Sequence, residues 1–187
     1  MAIITRNKLF EKKSSYQALK DIFIPIEDSP SKKELNRAIR HYSRFGNNGF
    51  LPLGTNAPYL FSYTSYLMLY IDEAVETITG ISKKELLGKP IYDSVSRSIV
   101  PEHVYATVRL SEYAFLYLCA HAQDDVVIVQ EYNIITPSKD KKRLLYQYKV
   151  VSRNPSGIPL LAYGHLTDFT HIVAGGPPRL SIVVNGR

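Results

Sequence analysis

The side chains able to do catalytic chemistry form no recognised pattern in this 187-residue chain. His165 and His171 flank a predicted strand end, and no cysteine or carboxylate cluster near them completes a metal-ligand set. The glycine pair at 175–176 precedes two prolines and not the lysine of a phosphate-binding loop. Asp124 and Asp125 are adjacent at a predicted helix end, and adjacent carboxylates there face solvent. We therefore predict no catalytic residue, no metal site, no cofactor and no enzyme activity.

Ligand binding is the chemistry that the remaining polar side chains favour. Tyrosines recur at every second position of two predicted strands, and a tyrosine, with apolar ring faces and one hydroxyl, suits a pocket wall or a protein interface. The candidate ligand-binding residues are Gln130, Tyr132, Tyr146, Tyr148 and His165. Both alternating sets on each strand contain apolar and polar members, so the pattern leaves open which set faces the helices.

Three strands separated by polar turns must position these candidates. The pattern predicts strands over 126–136, 143–152 and 160–169, with turns at 137–142 and 154–157. Strands joined by such short turns form an antiparallel meander. The mixed pattern of their side chains also suggests that the outer sheet face is covered, either by an N-terminal helix or by a second chain.

A long helix is predicted before the meander, starting at Pro101, a residue suited to the first helical position. It should end near Ala122, just before Asp124 and Asp125. Apolar residues at helical spacing predict its buried face. These residues are Val104, Val108, Phe115, Leu118 and Ala122, broadened by Leu110, Tyr113 and Tyr117.

The pattern of residues 66–90 predicts one strand followed by two very short helices. Alternation predicts a strand from Tyr66 to Asp72, and a helix follows from Glu73 to Thr79. Gly80 suits a left-handed helix cap. Ser82, with a glutamate three residues later, predicts a capping box for a second helix that stops at Gly88.

The N-terminal residues 1–59 are predicted to be a helical extension and loop that pack on the core. Residues 1–20 carry a weak helical pattern, and Ser31 with Glu34 forms a capping signature before apolar residues at helical spacing. Prolines and a glycine predict a loop over 50–58.

Composition and charge exclude several further classes of protein. No run approaches the roughly 18 apolar residues of a membrane helix, and the N-terminus lacks a signal peptide's apolar region. A single cysteine excludes an internal disulfide framework and favours the cytoplasm. The net charge of +6 is spread along the chain, as on solvated surface, and predicts no nucleic-acid stripe.

The stretch 66–90 resembles the opening of a PAS domain. PAS domains show a strand, a polar residue, a short acidic helix ending in Thr-Gly, and then a serine with a Glu-Leu-Leu-Gly-Lys pattern. Here these features are Asp72, Thr79-Gly80, Ser82 and the run 85–89. The family continues with a longer helix and a three-strand meander ending in a Gly…Asp-Ile-Thr pattern, which resembles residues 164–172 here.

The resemblance implies an α+β fold with an antiparallel sheet of about five strands, short helices and one longer helix. We assign it to residues 60–173. Narrower features, the run 112–115 and the ending LTDFTHI…GPPRLSI, are similar to the N-terminal PAS sensor regions of Bacteroidetes LuxR-type transcription regulators. In those proteins a helix-turn-helix follows the segment corresponding to 178–186. This chain ends at Arg187, so residues 174–187 are expected to be a linker or extra strand leading to an output domain that is absent here.

Two features of PAS relatives have plainer interpretations here. Cys119 lies outside any flavin-binding motif and is interpreted as a buried structural thiol. His103 and His121, which could be compared with haem ligands, lie near the helix ends, where surface roles are favoured.

Two functions follow as expectations. One is a sensory PAS module that binds a small molecule, forms a homodimer, and itself contacts neither nucleic acid nor membrane. The alternative is a freestanding PAS-like interaction module that homodimerises without ligand.

Overall fold

The computed structural model describes residues 30–44, 54–90, 97–172 and 175–185. Its helices are α1 (Lys32–Arg44), α2 (Ala74–Thr79), α3 (Lys83–Leu86) and α4 (Val104–Ala120), the last preceded by a 3₁₀ turn at Pro101–His103. Its strands are β1 (Asn56–Ser62), β2 (Met68–Ile71), β3 (Val126–Ile135), β4 (Lys141–Arg153), β5 (Pro159–Asp168) and β6 (Arg179–Val184). The weak helical pattern at 1–20 lies outside the described residues.

The six strands form one antiparallel sheet in the order β2-β1-β5-β4-β3-β6. The predicted α+β class with an antiparallel sheet, short helices and one longer helix is confirmed. The described part has six strands where about five were predicted, because β6 pairs with β3 at the edge of the sheet. The order of elements from β1 to β5 is the order that the PAS resemblance implies.

Strand β1 was not predicted: its first three residues lie in the predicted loop 50–58, and no element was assigned to the rest. It begins at Asn56 and pairs with both β2 and β5. Pro58 contributes to the sheet through its carbonyl, which accepts the backbone N–H of Asp72 at 2.9 Å. Tyr59, Leu60 and Phe61 are buried in succession, so the strand is covered on both faces. A strand that is buried on both faces shows no alternation of apolar and polar residues, so a search for that alternation does not detect it.

The predicted caps of the short helices are confirmed. Gly80 adopts φ 72° in the left-handed region and ends α2. Ser82 and Glu85 form the reciprocal capping box of α3. Strand β2 is shorter than predicted, however: Tyr66 has φ 57°, which no strand accommodates, so the strand begins at Met68.

Helix α4 buries Val108, Phe115 and Leu118, as the helical spacing predicted. The prediction was wrong for Tyr113, which is exposed, and for Ala122, which lies beyond the end of the helix. At 100° per residue, Tyr113 lies about 140–160° around the helix from Val108, Phe115 and Leu118, so it is on the side away from the sheet.

The sheet carries apolar residues on both sides. The inner face, defined as the side toward α2, α3 and α4, includes Tyr59, Tyr146 and Leu166 in the main core. On the opposite, outer face Leu60 and Tyr163 form a second cluster, against which Ala38 and Ile39 of α1 pack. This helix therefore covers part of the outer face.

Candidate functional site

Four of the five predicted ligand-binding residues share the inner face. The register pairs Gln130 with Tyr146 and Ile128 with Tyr148 across β3 and β4. The rings of Tyr132 and Tyr146 stack with centroids 4.9 Å apart and 14° between their planes. The central strands thus bring three tyrosines and one glutamine together beneath the helices.

The fifth predicted residue, His165, lies on the outer face. Its Nδ1 is 3.2 Å from Oδ1 of Asn56, and its Nε2 is 3.1 Å from the hydroxyl of Tyr163, a member of the outer cluster. Strand residues alternate between faces, so His165 cannot contact the inner-face tyrosines. The five candidates therefore do not form a single site.

The sequence analysis missed Tyr59, a central residue of the inner face. Its ring contacts that of Tyr146 edge-on, with centroids 6.1 Å apart. No strand was predicted around it, so no alternation signal identified it. Gly164, its register partner on β5, leaves room for it: a Cβ there would lie 2.7 Å from the Tyr59 hydroxyl oxygen and 2.3 Å from the carbonyl oxygen of Gln147.

A cavity of about 20 Å³ lies between the inner face and the two short helices. Its lining is mostly apolar and consists of Tyr59, Met68, Ile71, Val75, Thr79, Ile81, Leu86, Ser98, Ile134, Leu144, Tyr146 and Leu166. A space of this size holds about one water molecule, whereas drug-sized ligands occupy about 300–1,000 Å³. Any larger ligand must displace side chains or the helices above them.

Burial raises the pKa of two tyrosine hydroxyls of the site above the ordinary value, which already lies above physiological pH. It raises the pKa of Tyr146 to about 12, against a smaller opposing effect of the hydrogen bond with Tyr132. Burial also raises the pKa of Tyr59 well above the ordinary value, with Tyr148 and Tyr146 adding to the shift. These groups can therefore donate hydrogen bonds to a ligand at any physiological pH.

Gln130 joins the sheet to α4. Its side-chain amide donates to the backbone carbonyl of Thr107 and to the hydroxyl of Ser111, both at 3.2 Å. Ser111 in turn donates to the same carbonyl at 3.0 Å. The buried amide is thus satisfied by the helix, and it lies beside Tyr146, which lines the cavity.

The Asp168-Phe169-Thr170 end of the meander connects β4 to α2. One carboxylate oxygen of Asp168 accepts the Thr170 hydroxyl at 2.6 Å and its N–H at 3.1 Å, and the other pairs with Lys142 at 3.1 Å. Lys142 also donates to the carbonyl of Thr77 in α2. Burial acts to raise the pKa of Asp168, but the hydrogen bonds from Thr170 and Lys142 together lower it below its ordinary value.

Within the described ranges, no three His, Cys, Asp or Glu side chains lie close enough to hold a metal ion. None of the helices described is long and apolar enough to cross a membrane.

Comparison with known proteins gives likenesses in structure only, because no family model and no curated protein matches the sequence. The chain is similar to a sensory box histidine kinase/response regulator from Burkholderia thailandensis, with 19% identity, 63% of this chain and 79% of that chain covered, and a TM-score of 0.46. It is similar to the N-terminal domain of a diguanylate cyclase with PAS/PAC sensor from Marinobacter aquaeolei, with 17% identity, coverages of 62% and 96%, and a TM-score of 0.49. A third similar structure is the ethanol-bound PAS domain of a LuxR-family transcriptional regulator from Burkholderia thailandensis, with 10% identity, coverages of 63% and 92%, and a TM-score of 0.45.

Proposed function

We propose that this chain is the sensory, PAS-type part of a bacterial signalling or transcription regulator of the LuxR type. It binds a small molecule on the inner face of its sheet, forms a homodimer, and works in the cytoplasm. The DNA-binding part lies outside these residues. Of the predicted ligand contacts, Tyr146 lines the cavity together with Tyr59, and Gln130, Tyr132 and Tyr148 lie beside them on the inner face. His165 is left out because it lies on the outer face.

The cavity beneath α2 and α3 is the observation that carries this proposal. These helices have six and four residues, and helices this short gain little stability from their own hydrogen bonds. They are held mainly by packing of Val75, Ile78 and Leu86 on the sheet. A ligand larger than the cavity must therefore displace this packing when it enters.

The lining defines the chemistry of the ligand. Apolar side chains surround the cavity on most sides, so the body of the ligand is apolar. The hydroxyls of Tyr59 and Tyr146, which both line the cavity, lie on the sheet side. We therefore expect a small, uncharged molecule with one polar group, because no side chain that lines the cavity carries a formal charge at neutral pH.

Filling the cavity tests the proposal. Val75 is fully buried and lines the cavity, so Val75→Ile adds a methylene where the ligand would lie. A set of small alcohols and ketones is screened by thermal unfolding. A binder at 100 times its Kd should stabilise the unmodified chain by about 2.7 kcal/mol, and Val75→Ile should lose most of that stabilisation.

Val127→Ile is the matched control, since it makes the same chemical change on the outer face. It should keep the full ligand-induced stabilisation. If Val75→Ile and Val127→Ile respond equally to the binder, or if no small molecule stabilises the unmodified chain, the inner-face ligand site is ruled out.

A freestanding interaction module is the second candidate. The small size of the cavity favours it, since a core with room for about one water molecule needs no ligand to be complete. Mass spectrometry of the protein under native and denaturing conditions separates the two candidates. A small molecule retained through purification supports the sensor, whereas a ligand-free dimer supports the interaction module.

A further inference from the structure

Helix α4 presents an exposed apolar stripe to solvent. Tyr105, Tyr113 and Leu116 are 63%, 58% and 46% exposed, and they are three of the six exposed large apolar side chains in the described part of the chain. With 100° per residue, these positions and Arg109 fall within about 80° of one another, along about 16 Å of helix. Half of the exposed large apolar side chains are thus concentrated on one side of one helix, a signature of an interaction surface.

Among the described residues, the core of the domain packs on another side of α4. The opposite side of α4, with Val108, Phe115 and Leu118, already packs on the sheet. Arg109 borders the stripe and donates to the carboxylate of Glu112, which is buried beside it. This ion pair holds the guanidinium of Arg109 on the same side of α4 as the three exposed apolar side chains.

The order of these side chains is self-complementary. If two copies of α4 cross antiparallel about a two-fold axis near residues 110 and 111, Tyr105 of one copy faces Leu116 of the other. The same axis brings Arg109 of each copy against the ring of Tyr113 of the other copy, so this contact occurs twice in the dimer. Apolar groups then meet apolar groups, and each guanidinium meets an aromatic face, which attracts cations. A parallel crossing would instead set the two arginines against each other.

We propose that the exposed stripe of α4 is a homodimer interface, with a second copy of this chain as its occupant. This inference rests on the homodimer that is part of the proposed function, and it names the surface. It does not depend on ligand binding. A contact made by one helix face from each copy lies at the small end of interface sizes, below about 1,200 Å² in total. We therefore expect weak association, with a Kd on the order of 10 µM.

Charge substitutions at Tyr113 test both the surface and the geometry, with sedimentation equilibrium of the full chain as the measurement. Tyr113→Lys sets a cation against Arg109 of the second copy and should raise the dimer Kd at least tenfold. Tyr113→Glu sets a carboxylate against Arg109 of the second copy and should raise the dimer Kd clearly less than Tyr113→Lys does. Leu116→Asp, which sets a carboxylate against the ring of Tyr105 and removes the apolar contact, should raise the dimer Kd at least tenfold.

Ile172→Lys is the control because Ile172 is 57% exposed, close to the value for Tyr113, but lies outside α4. Its Kd should stay within twofold of the unmodified chain, and circular dichroism checks that every variant is folded. A dimer that persists unchanged in folded Tyr113→Lys and Leu116→Asp overturns the α4 surface while leaving homodimerisation standing. A chain that stays monomeric up to millimolar concentration overturns both, whereas the ligand part of the proposed function is decided separately by Val75→Ile.

Discussion

At the scale of single residues, Gly164 shows how a missing side chain shapes the site. It lies between Tyr59 and Tyr148 in the register of the sheet. A Cβ at this position would meet a backbone carbonyl at 2.3 Å and the Cβ of Tyr148 at 2.7 Å. Backbone atoms cannot turn away as a flexible side chain can, so the close packing of the two tyrosines requires glycine here.

Gly164→Ala is therefore expected to lower the free energy of unfolding by about 3 kcal/mol, the upper part of the range for overpacked cores. Urea unfolding measures this change. Gly88→Ala is the control: nothing lies within 4 Å of its Cβ, and only the strain at φ 69° remains. That strain should cost about 1 kcal/mol. A Gly164→Ala variant no less stable than Gly88→Ala would show that the sheet relaxes around the methyl group.

Asp168 should make stability depend on pH. Its pKa is lower in the folded chain than in the unfolded one, so the unfolded state takes up a proton first as the pH falls. The stabilisation from Asp168 is fully present above the unfolded pKa, near 4, and is lost as the pH falls through the folded pKa. Asp168→Asn should therefore unfold more easily at pH 7, and the difference from the unmodified chain should shrink toward pH 2.5.

Urea unfolding at several pH values checks this dependence. Lys142→Met serves as a partial control, because it removes one of the groups that lower the pKa while Thr170 stays. In the Lys142→Met background, Asp168→Asn should have a smaller effect at pH 7. A stability difference between the unmodified chain and Asp168→Asn that stays the same from pH 7 to pH 2.5 would contradict this account.

At the scale of elements, a buried arginine holds the segment that leads into β6. Arg143 is 1% exposed, and its guanidinium donates to the carbonyls of Gly176 and Pro177 at 2.9 and 3.0 Å. It also pairs with Glu131 of β3 at 2.9 Å. Asn133 donates to the Gly176 carbonyl as well, at 3.0 Å. Two strands of the sheet thus fix the residues from which β6 begins.

Arg143→Met should release β6 more than the rest of the sheet. Breaking a buried ion pair by removing one partner costs about 3–5 kcal/mol. The backbone amides of β6 should exchange with solvent at least tenfold faster, with a smaller change in β5, as hydrogen exchange followed by mass spectrometry will show.

Lys141→Met is the control for this experiment, since Lys141 is an exposed cation on the same strand, close to Arg143 in sequence. It should leave the exchange of β6 unchanged. Equal acceleration of β5 and β6 in Arg143→Met would mean that Arg143 supports the sheet as a whole and does not hold β6 specifically.

At the scale of the whole molecule, the two proposed surfaces are joined through β3. Gln130 holds the backbone of α4, while its register partner Tyr146 lines the cavity. A ligand that displaces Tyr146 would therefore act on the helix that bears the proposed dimer stripe. Coupling of this kind is reciprocal, so dimerisation would change ligand affinity by the same factor. The dimer Kd of the unmodified chain, measured with and without the binder, reports this coupling, and an unchanged Kd contradicts it.

The sequence by itself determined the local structure. Gly80, Ser82 with Glu85, and Ser31 with Glu34 end or begin helices through hydrogen bonds within three or four residues, and the structure contains each of these caps. The three strands of the meander were also predictable, because their turns separate them clearly. Such features depend on neighbours in sequence, which a pattern records.

The tertiary structure alone decided which side of each element is buried. Strand β1 was hidden because Tyr59, Leu60 and Phe61 pack on two different layers. Tyr113, in contrast, was misassigned although helical geometry places it opposite Val108, Phe115 and Leu118. His165 separates from the inner-face tyrosines for the same reason, since the face of a residue depends on strands that pair far away in sequence. Some residues of the inner face could thus be listed from the sequence. The cavity, and the place of Tyr59 on that face, follow only from the pairing of β1 with β5.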